Sequence, residues 1–394
     1  MRVLMVSTEY PPMPGGVGRY TAKLTQELRN LGLDVYVVCN EHGKGDFYGL
    51  SPTNKLNSET LMGIVNETKP DVVHIQFEPG LYGLLLDPKN PRKSGTYIDS
   101  FYERCQVPIT TTFHSGYNLT QWISQASLIK KSGRIGKLGI PLRGAIRFWK
   151  YFLNYKAFKD LNKEKLRKSK AGIVFSSYMS KIIGGGEVIY HGAEPAVFPK
   201  PNKKEARRIF SLPSEGHIAL ALGFQTVTKG WDILKKMKVP AGWQVVLNSS
   251  KGHYNLEKYD MKWIDGSTII DLHRGYLTDE QLSILFYSSD AVLMPYKVSA
   301  GSGVMFDAIA HGIPFIATDL AFFNEFAAKG LGITVKREAN QFSNGIKKLE
   351  KNYVRYADAV EDFKKNLRWN FVARQHATIY FSVANKKSYQ TNNR

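Results

Sequence analysis

Residues 291–317 have the sequence AVLMPYKVSAGSGVMFDAIAHGIPFIA. A short apolar run, 291–294, is followed by the small residues 299–303 and then by a segment with helical spacing. A second apolar run, 314–317, comes directly after that segment. Strand, turn, helix and strand in this order form a βαβ unit, in which the two strands are parallel.

The same alternation extends along the whole chain. The strands predicted in the first half are 2–7, 34–38, 71–76, 108–113 and 171–176. Those predicted in the second half are 217–222, 244–248, 268–271, 291–294 and 314–317. Repeated βαβ units indicate an α/β protein with two Rossmann-like, doubly wound domains, and we expect these to face a central cleft. The Gly- and Pro-rich stretch 184–202 marks the boundary, so we predict domains at 1–186 and 187–367 and a C-terminal segment at 368–394.

Bulk properties exclude several classes of protein. The 394 residues suffice for two cores, and no apolar run approaches the roughly 20 residues that cross a bilayer. The N-terminal apolar run is too short for a signal peptide, and Cys39 and Cys105 are the two cysteines. We therefore expect a cytoplasmic protein without disulfides and without a metal site. Its net charge of +20 favours anionic partners.

Three strand ends carry candidate binding residues. In PPMPGGVGRY, 11–20, Gly15 and Gly16 precede a helix whose positive end suits a phosphate, although a plain turn explains the glycines as well. His114 follows the strand 108–113, where its imidazole could bind a sugar hydroxyl or a phosphate, whereas His74 within a strand is predicted to be a core residue. Lys229, in the turn GFQTVTKGW after 217–222, could neutralise a diphosphate or simply be solvated.

The small residues of 299–303 lead into a helix. Serine hydroxyls and backbone N–H groups at its positive end suit a phosphate or a sugar. Asp307 lies one turn further along, where it could accept hydrogen bonds from ribose hydroxyls or merely complement the helix dipole.

These motifs, in this order, resemble family 4 glycosyltransferases of the GT-B fold. The matching pieces are the glycine loop, His114, VIYHGAEPAVF at 188–198, GFQTVTKG, GYLTDEQ from Gly275, SGVMFDAIAHGIPFIATD and the closing RWNFVARQHATIY. The resemblance implies a metal-independent, retaining transfer from a nucleotide sugar, without a separate cofactor. It makes 1–186 the acceptor-side domain and 187–367 the nucleotide-sugar domain, with a helix from about 368 crossing back to the first.

Carried over by position, the resemblance assigns roles to individual residues. Gly16 would meet the diphosphate, His114 would orient the donor sugar and Lys229 would hold the phosphates; these three are the catalytic candidates. The other candidates for substrate binding are Gly15, Gly223, Arg274, Gly275, Tyr276, Lys297, Ser299, Gly301, Ser302, Gly303 and Asp307.

Three positions depart from the family pattern. Ser299 and Asp307 stand where the family has two glutamates eight positions apart, and Phe224 stands where it has an arginine. Lys297 or Arg274 could replace the charge of that arginine. We interpret the departures as altered donor recognition.

The positive charge is concentrated in one segment. Between residues 128 and 170 there are 14 Lys and Arg residues against Asp160 and Glu164. Arg143, Arg147 and Lys150 share one helix face, and Phe148, Phe152 and Tyr155 share another. Basic residues beside aromatic anchors favour an anionic membrane surface over nucleic acid, although a solvated face with core aromatics is the alternative.

Together these observations predict a glycosyltransferase peripherally bound to the inner face of the membrane. It would move a sugar from a nucleotide diphosphate sugar to a hydroxyl of a glycan or lipid-linked acceptor. A sugar-nucleotide epimerase on the same fold and a non-catalytic basic protein that binds lipid or nucleic acid are the two alternatives.

Overall fold

The computed structural model describes residues 1–87, 90, 93–129, 140–251 and 269–385, with the backbone alone for 125–129 and 140–148. The chain divides into two compact units. The first unit contains Met1–Tyr190 and the C-terminal Trp369–Arg394, and the second contains His191–Arg368.

The first unit is built on a six-stranded parallel sheet of order β2-β1-β3-β4-β5-β6. Its strands are β1 (Arg2–Val6), β2 (Asp34–Val38), β3 (Val72–Phe77), β4 (Ile109–Phe113), β5 (Ala171–Val174) and β6 (Glu187–Val188). Every residue of β3 and β4 is buried. Such burial is typical of parallel strands, because crossover helices cover both faces of the sheet.

Helices connect these strands, and the C-terminal helix belongs to the same unit. The helices are α1 (Gly16–Asn30), α2 (Asn57–Thr68), α3 (Asp99–Arg104), α4 (Leu119–Ile129), α5 (Ile140–Lys168), α6 (Ser177–Ile183) and, at the end of the chain, α14 (Trp369–Val383). The ring of Trp369 lies 5.4 Å from that of Tyr20, which attaches α14 to α1.

The second unit repeats the plan with a parallel sheet of order β12-β11-β10-β7-β8-β9. Its strands are β7 (His217–Phe224), β8 (Trp243–Ser250), β9 (Ile270–Asp271), β10 (Ala291–Met294), β11 (Phe315–Thr318) and β12 (Gly332–Val335). Its helices are α7 (Lys203–Ile209), α8 (Asp232–Lys236), α9 (Asp279–Tyr287), α10 (Gly303–Ala310), α11 (Ala321–Ala327), α12 (Ala339–Lys351) and α13 (Tyr353–Lys364).

The predicted pair of doubly wound parallel sheets is confirmed. Each predicted strand overlaps an observed one, whereas β6 and β12 were not predicted. Both are short, and β12 begins at Gly332, where a Cβ would lie 2.3 Å from the carbonyl oxygen of Phe315. A glycine in so short a run weakens the sequence signal, although close backbone packing requires it here.

A buried ion pair attaches α7 to the sheet of the second unit. Arg207 donates from Nη2 to Oδ2 of Asp290 at 2.9 Å, and both side chains are almost fully buried. The same carboxylate accepts the backbone N–H of Ile218, the second residue of β7, at 2.8 Å. Lys203 also pairs with Asp290, but its side chain is 45% exposed.

We expect Asp290→Ala to lower the free energy of unfolding by about 3 kcal/mol, because it leaves the buried guanidinium of Arg207 without its counter-charge. Lys203→Ala removes an exposed partner of the same carboxylate and should cost less than about 1 kcal/mol. Urea denaturation of the full chain measures both. Equal losses for the two variants would contradict the assignment of Arg207 and Asp290 as the stabilising pair.

Candidate functional site

Lys229 is held at the carboxyl end of the second sheet by two contacts. Its Nζ lies 3.9 Å from the centre of the Tyr296 ring, close enough for a cation–π interaction. Its side chain also folds over Gly223, where a Cβ would lie 3.2 Å from Cε and 3.6 Å from Nζ. Gly223 has φ of +143°, which disfavours any other residue. The ammonium of Lys229 is therefore fixed against backbone at the end of β7.

The turn that carries Lys229 is fastened to the end of β10. Gly230 has φ of +73°, and a Cβ there would lie 1.9 Å from the carbonyl oxygen of Pro295. Lys297 donates its backbone N–H to the carbonyl of Thr228 at 2.8 Å. The indole of Trp231 is buried and donates to the carbonyl of Phe224 at 3.2 Å. Neighbouring parallel strands thus position this turn from both sides.

Two further cations share a carboxylate beside this turn. Asp232 Oδ1 lies 2.6 Å from Nη2 of Arg337 and 3.4 Å from Nζ of Lys297. Burial opposes ionisation of Asp232, but the hydrogen bond and charge of Arg337, with Lys297, outweigh it and lower its pKa. The charge of Lys297 is consequently shared with Asp232. This pairing leaves less of that charge for the predicted role of Lys297 as a replacement for the family's arginine.

Arg337 was missed in the sequence. It follows β12, which was not predicted, so nothing placed its guanidinium at this sheet edge. Arg337 also donates from Nε to the carbonyl of Pro295 at 3.2 Å, and this contact fixes it beside the Lys229 turn. The sequence feature that could have predicted Arg337 is its place two positions after a short apolar run, 332–335, which is a candidate strand.

The start of α10 brings together the predicted small residues. Ser302 is the N-cap, and its hydroxyl accepts the N–H of Met305 at 3.3 Å. Ser299 donates from Oγ to the carbonyl of Gly301 at 3.0 Å. The hydroxyls of Ser299 and Ser302 therefore stabilise the loop and the helix terminus that Gly303 begins. Asp307, one turn further along, is 4% exposed.

His191 lies at the start of α10 and was also missed. Its ring stacks on Phe306 at 5.7 Å between centroids and 9° between planes. A Cβ on Gly303 would lie 3.7 Å from its Nε2. Since Nδ1 lies 2.8 Å from the carbonyl of Gly192, the neutral ring carries its proton on Nδ1. This histidine lies in YHGAE, within the segment predicted as the domain boundary.

Arg274, Gly275 and Tyr276 form an exposed loop that is tied to β8. Asn248 accepts the N–H of Arg274 at 3.2 Å and donates to the carbonyl of Gly275 at 2.9 Å. Tyr276 is 47% exposed, and its ring is nearly parallel to that of Phe224 at 6.3 Å. The aromatic ring that replaces the family's arginine thus has an aromatic neighbour rather than a charged one.

In the first unit, Gly15 and Gly16 have different surroundings. A Cβ on Gly15 would lie 2.1 Å from Oε2 of Glu9, whereas a Cβ on Gly16 would meet nothing within 4 Å. The Glu9 carboxylate accepts the N–H groups of Gly18 and Val17, so a side chain already occupies part of the positive end of α1. Burial raises the pKa of Glu9 to about 7 despite those two hydrogen bonds.

His114 directly follows β4, and its Nε2 lies 2.8 Å from Oε1 of Gln76. Its ring packs edge-on against Tyr20 at 5.4 Å and Phe175 at 5.2 Å. His74 is fully buried, as predicted for a core residue. Glu78 follows β3, and its pKa rises to about 7 through burial, with a further contribution from the charge of Glu9. Glu9, Gln76 and Glu78 were not predicted, although each is a polar residue at or near a strand end.

The basic segment is only partly described. Residues 130–139 lie outside the described part of the chain, as do the side chains of Arg143, Arg147 and Phe148. Lys150 is exposed, and Trp149 is 59% exposed. Tyr155, by contrast, packs against Trp122 at 6.4 Å between ring centroids. Within the described residues no helix has the length and apolarity to span a membrane.

Some of the positive charge on α5 is neutralised by α3. Lys165 is buried and lies 2.7 Å from Asp99, and Lys168 lies 2.9 Å from Glu103. Asp160 and Glu164 are therefore not the only acids that face this segment. The excess of basic charge on α5 is smaller than the local sequence indicates.

Comparison with known proteins adds to this geometry. Residues 14–179 match the family model for Glycosyltransferase Family 4. An uncharacterised glycosyltransferase of Methanocaldococcus jannaschii is 20% identical over 96% of this chain and 98% of its own length.

Solved structures have the same fold. Sucrose-phosphate synthase of Thermosynechococcus elongatus aligns with a TM-score of 0.68 and 15% identity over 97% of this chain and 98% of that one. HepE of Anabaena, in complex with UDP and glucose, aligns with a TM-score of 0.66 and 14% identity over 97% of this chain and 100% of that one. The solved structures show that this chain has the GT-B fold, and residues 14–179 are similar to the family 4 glycosyltransferases.

Proposed function

We propose that the enzyme transfers a sugar from a nucleoside diphosphate sugar to a hydroxyl of a glycan or lipid-linked acceptor. The observation that carries the proposal is the fixed ammonium of Lys229 over Tyr296, next to the end of β10, which Arg337 and the N-cap Ser302 of α10 also contact. A departing nucleoside diphosphate develops negative charge, and a positive group already fixed near that charge lowers the barrier without reorganisation.

The surroundings of Lys229 suit this role. The Tyr296 ring and the Gly223 backbone limit the conformations of the lysine side chain, so little entropy is lost when it binds a phosphate. We propose that Lys229 and the positive end of α10, rather than a divalent ion, take up the charge of the leaving group. HepE of Anabaena in complex with UDP-glucose, a structure with the same fold, supports a nucleotide sugar as the donor.

In the first unit we assign roles in transfer to Gly16 and His114. Among the described residues, no atom outside the backbone of its own helix turn lies within 4 Å of a Cβ on Gly16, which lets a substrate approach the backbone there. We propose that the His114 imidazole, fixed by Gln76 and two aromatic rings, orients a sugar hydroxyl. Retention of anomeric configuration is proposed on the similarity of residues 14–179 to family 4 alone, and NMR of the product anomer tests it.

We further propose that α5 binds an anionic membrane surface on the cytoplasmic side, where a lipid-linked acceptor would be presented. Trp149 and Lys150 support this proposal, because an exposed indole beside an ammonium suits the boundary between headgroups and acyl chains. Trp149 replaces the predicted Tyr155 as the anchor, since Tyr155 packs against Trp122.

Nucleoside diphosphate sugars should stabilise the protein against heat. A donor at 100 times its Kd adds about 2.7 kcal/mol to the free energy of unfolding. Lys229→Ala should reduce that shift and lower kcat for sugar transfer about 100-fold, the usual effect of removing one charge-stabilising group. The control Lys236→Ala removes an exposed lysine of α8 and should change neither quantity. No shift with any nucleotide sugar would overturn the proposed activity.

Gly16→Val should leave the fold intact, because a Cβ at that position meets nothing within 4 Å. We expect it to lower transfer at least about tenfold by blocking approach to the backbone, while the thermal shift with the donor stays near that of the wild type. Gly63→Val makes the same change at an equally open position of α2 and serves as the control. Parallel losses of transfer and donor binding would show that Gly16 has been given the wrong role.

The protein should float with liposomes that contain anionic phospholipid at physiological salt. Trp149→Ser should weaken this binding about tenfold, equivalent to about 1.4 kcal/mol. Tyr48→Ser alters another exposed aromatic residue of the same unit, 49% exposed, and should have no effect. If the wild-type protein stays at the bottom of the gradient while the liposomes float, membrane contact through α5 is refuted.

A further inference from the structure

We propose that Gln76 is a positioning residue for the transfer reaction. It holds the proton of the neutral His114 imidazole on Nε2 rather than Nδ1, so that Nδ1 is the acceptor for a substrate hydroxyl. The inference rests on the proposed role of His114 in transfer. It goes further by specifying the tautomer in which neutral His114 acts and the residue that imposes it.

The amide orientation of Gln76 follows from its neighbours. Gln76 is fully buried, and its Nε2 lies 3.2 Å from Sδ of Met5 and 3.4 Å from Nε2 of His74. A thioether sulfur cannot donate a hydrogen bond, so the amide NH₂ rather than the carbonyl belongs on this side. The carbonyl Oε1 therefore faces His114 Nε2, at 2.8 Å. Because Oε1 only accepts, Nε2 of His114 must carry the proton.

His74 stabilises this orientation from the other side. Burial, together with the nearby His376 and His114, lowers the pKa of His74 well below its usual value, so the ring is neutral. Its Nε2 lies near the Gln76 amide and 2.8 Å from Oγ1 of Thr112, and it can accept from both. Its Nδ1 then carries the proton and donates to the hydroxyl of Tyr380.

The last member of this chain of contacts lies on α14. Tyr380 is fully buried, and the C-terminal helix thus supplies a hydroxyl that accepts from Nδ1 of His74 in this arrangement. His74 orients Gln76, and Gln76 orients His114. Tyr380, His74 and Gln76 contact one another or His114 inside the first unit, so we class them as positioning residues.

A neutral His114 differs chemically from a charged one. With the proton on Nε2, the lone pair of Nδ1 accepts from a hydroxyl hydrogen; as an imidazolium the ring donates from both nitrogens. The titratable groups near His114 are Tyr20 on α1, His74 on β3 and Glu78 beside the neighbouring Ser115. The Gln76 amide is an uncharged hydrogen-bond partner of His114. Replacing it with a carboxylate therefore tests how a charged partner changes the protonation of His114.

The decisive experiment is ¹⁵N NMR of histidine-labelled full-length protein, with His114 assigned from the spectrum of His114→Asn. We expect the wild type to show a protonated Nε2 and an unprotonated Nδ1 on His114. Gln76→Glu should raise the pKa of His114 by at least about one unit, because a carboxylate replaces the neutral acceptor. The acid limb of the kcat–pH profile should shift upward equally, with KM for the donor within twofold of the wild type.

Two further variants separate positioning from general damage. Gln76→Leu removes the acceptor without adding charge, so it should lower kcat about tenfold at every pH without moving the profile. Gln121→Glu places the same carboxylate at another buried glutamine of the first unit and should leave the His114 signals unchanged.

A proton on Nδ1 of His114 in the wild type would overturn the proposal even if Gln76→Glu does not fold. An unshifted kcat–pH profile in a folded Gln76→Glu would also overturn it. If the tautomer is as expected but the wild type transfers no sugar, the proposed function fails and the hydrogen-bond assignment stands.

Discussion

The candidate site of the second unit is built around the contact of Lys229 with Gly223 and Tyr296. Gly223 belongs to β7 and Tyr296 follows β10, which is paired with β7. The Lys229 side chain packs closely over position 223, where a Cβ would lie 3.2 Å from Cε, and its turn requires a glycine at 230, where a Cβ would lie 1.9 Å from the carbonyl oxygen of Pro295. Two glycines with positive φ therefore place a cation at the carboxyl edge of a parallel sheet, where α/β proteins bind their ligands.

The helix termini of the two units are stabilised differently. Ser302 caps α10 with a neutral hydroxyl, so the positive end of that helix retains its field. At α1 the Glu9 carboxylate accepts two N–H groups of the first turn, and its burial raises its pKa. When the Glu9 carboxylate is ionised, it repels a phosphate at the same end of α1. This difference agrees with the proposal that the second unit provides most of the charge for the diphosphate, while the first provides positioning.

The core of the first unit contains a continuous set of polar contacts instead of purely apolar packing. His74, Gln76 and Thr112 are fully buried on adjacent parallel strands, and Tyr380 reaches them from the C-terminal helix. Burying polar groups is costly unless each is hydrogen-bonded, and here the contacts form a connected chain that ends at His114. In our proposal the orientation of a surface histidine is thereby determined by residues distributed from β3 to α14.

The sequence by itself determined the two parallel sheets, because alternating apolar runs and helical segments in two series separated by a Gly- and Pro-rich boundary fold as βαβ units with parallel strands. It also located Lys229, Ser302 and His114 at strand ends or helix starts, since these positions follow from local pattern. It did not locate Arg337, which pairs with Asp232 across 105 residues of sequence, or Gln76, whose partner His114 is 38 residues away. It grouped Phe148, Phe152 and Tyr155 as membrane anchors or core aromatics and did not single out Trp149, because helical spacing does not show which face Trp122 covers. Only the tertiary structure decided these pairings, since parallel strands bring the ends of distant segments to one edge and packing selects which side chains meet there.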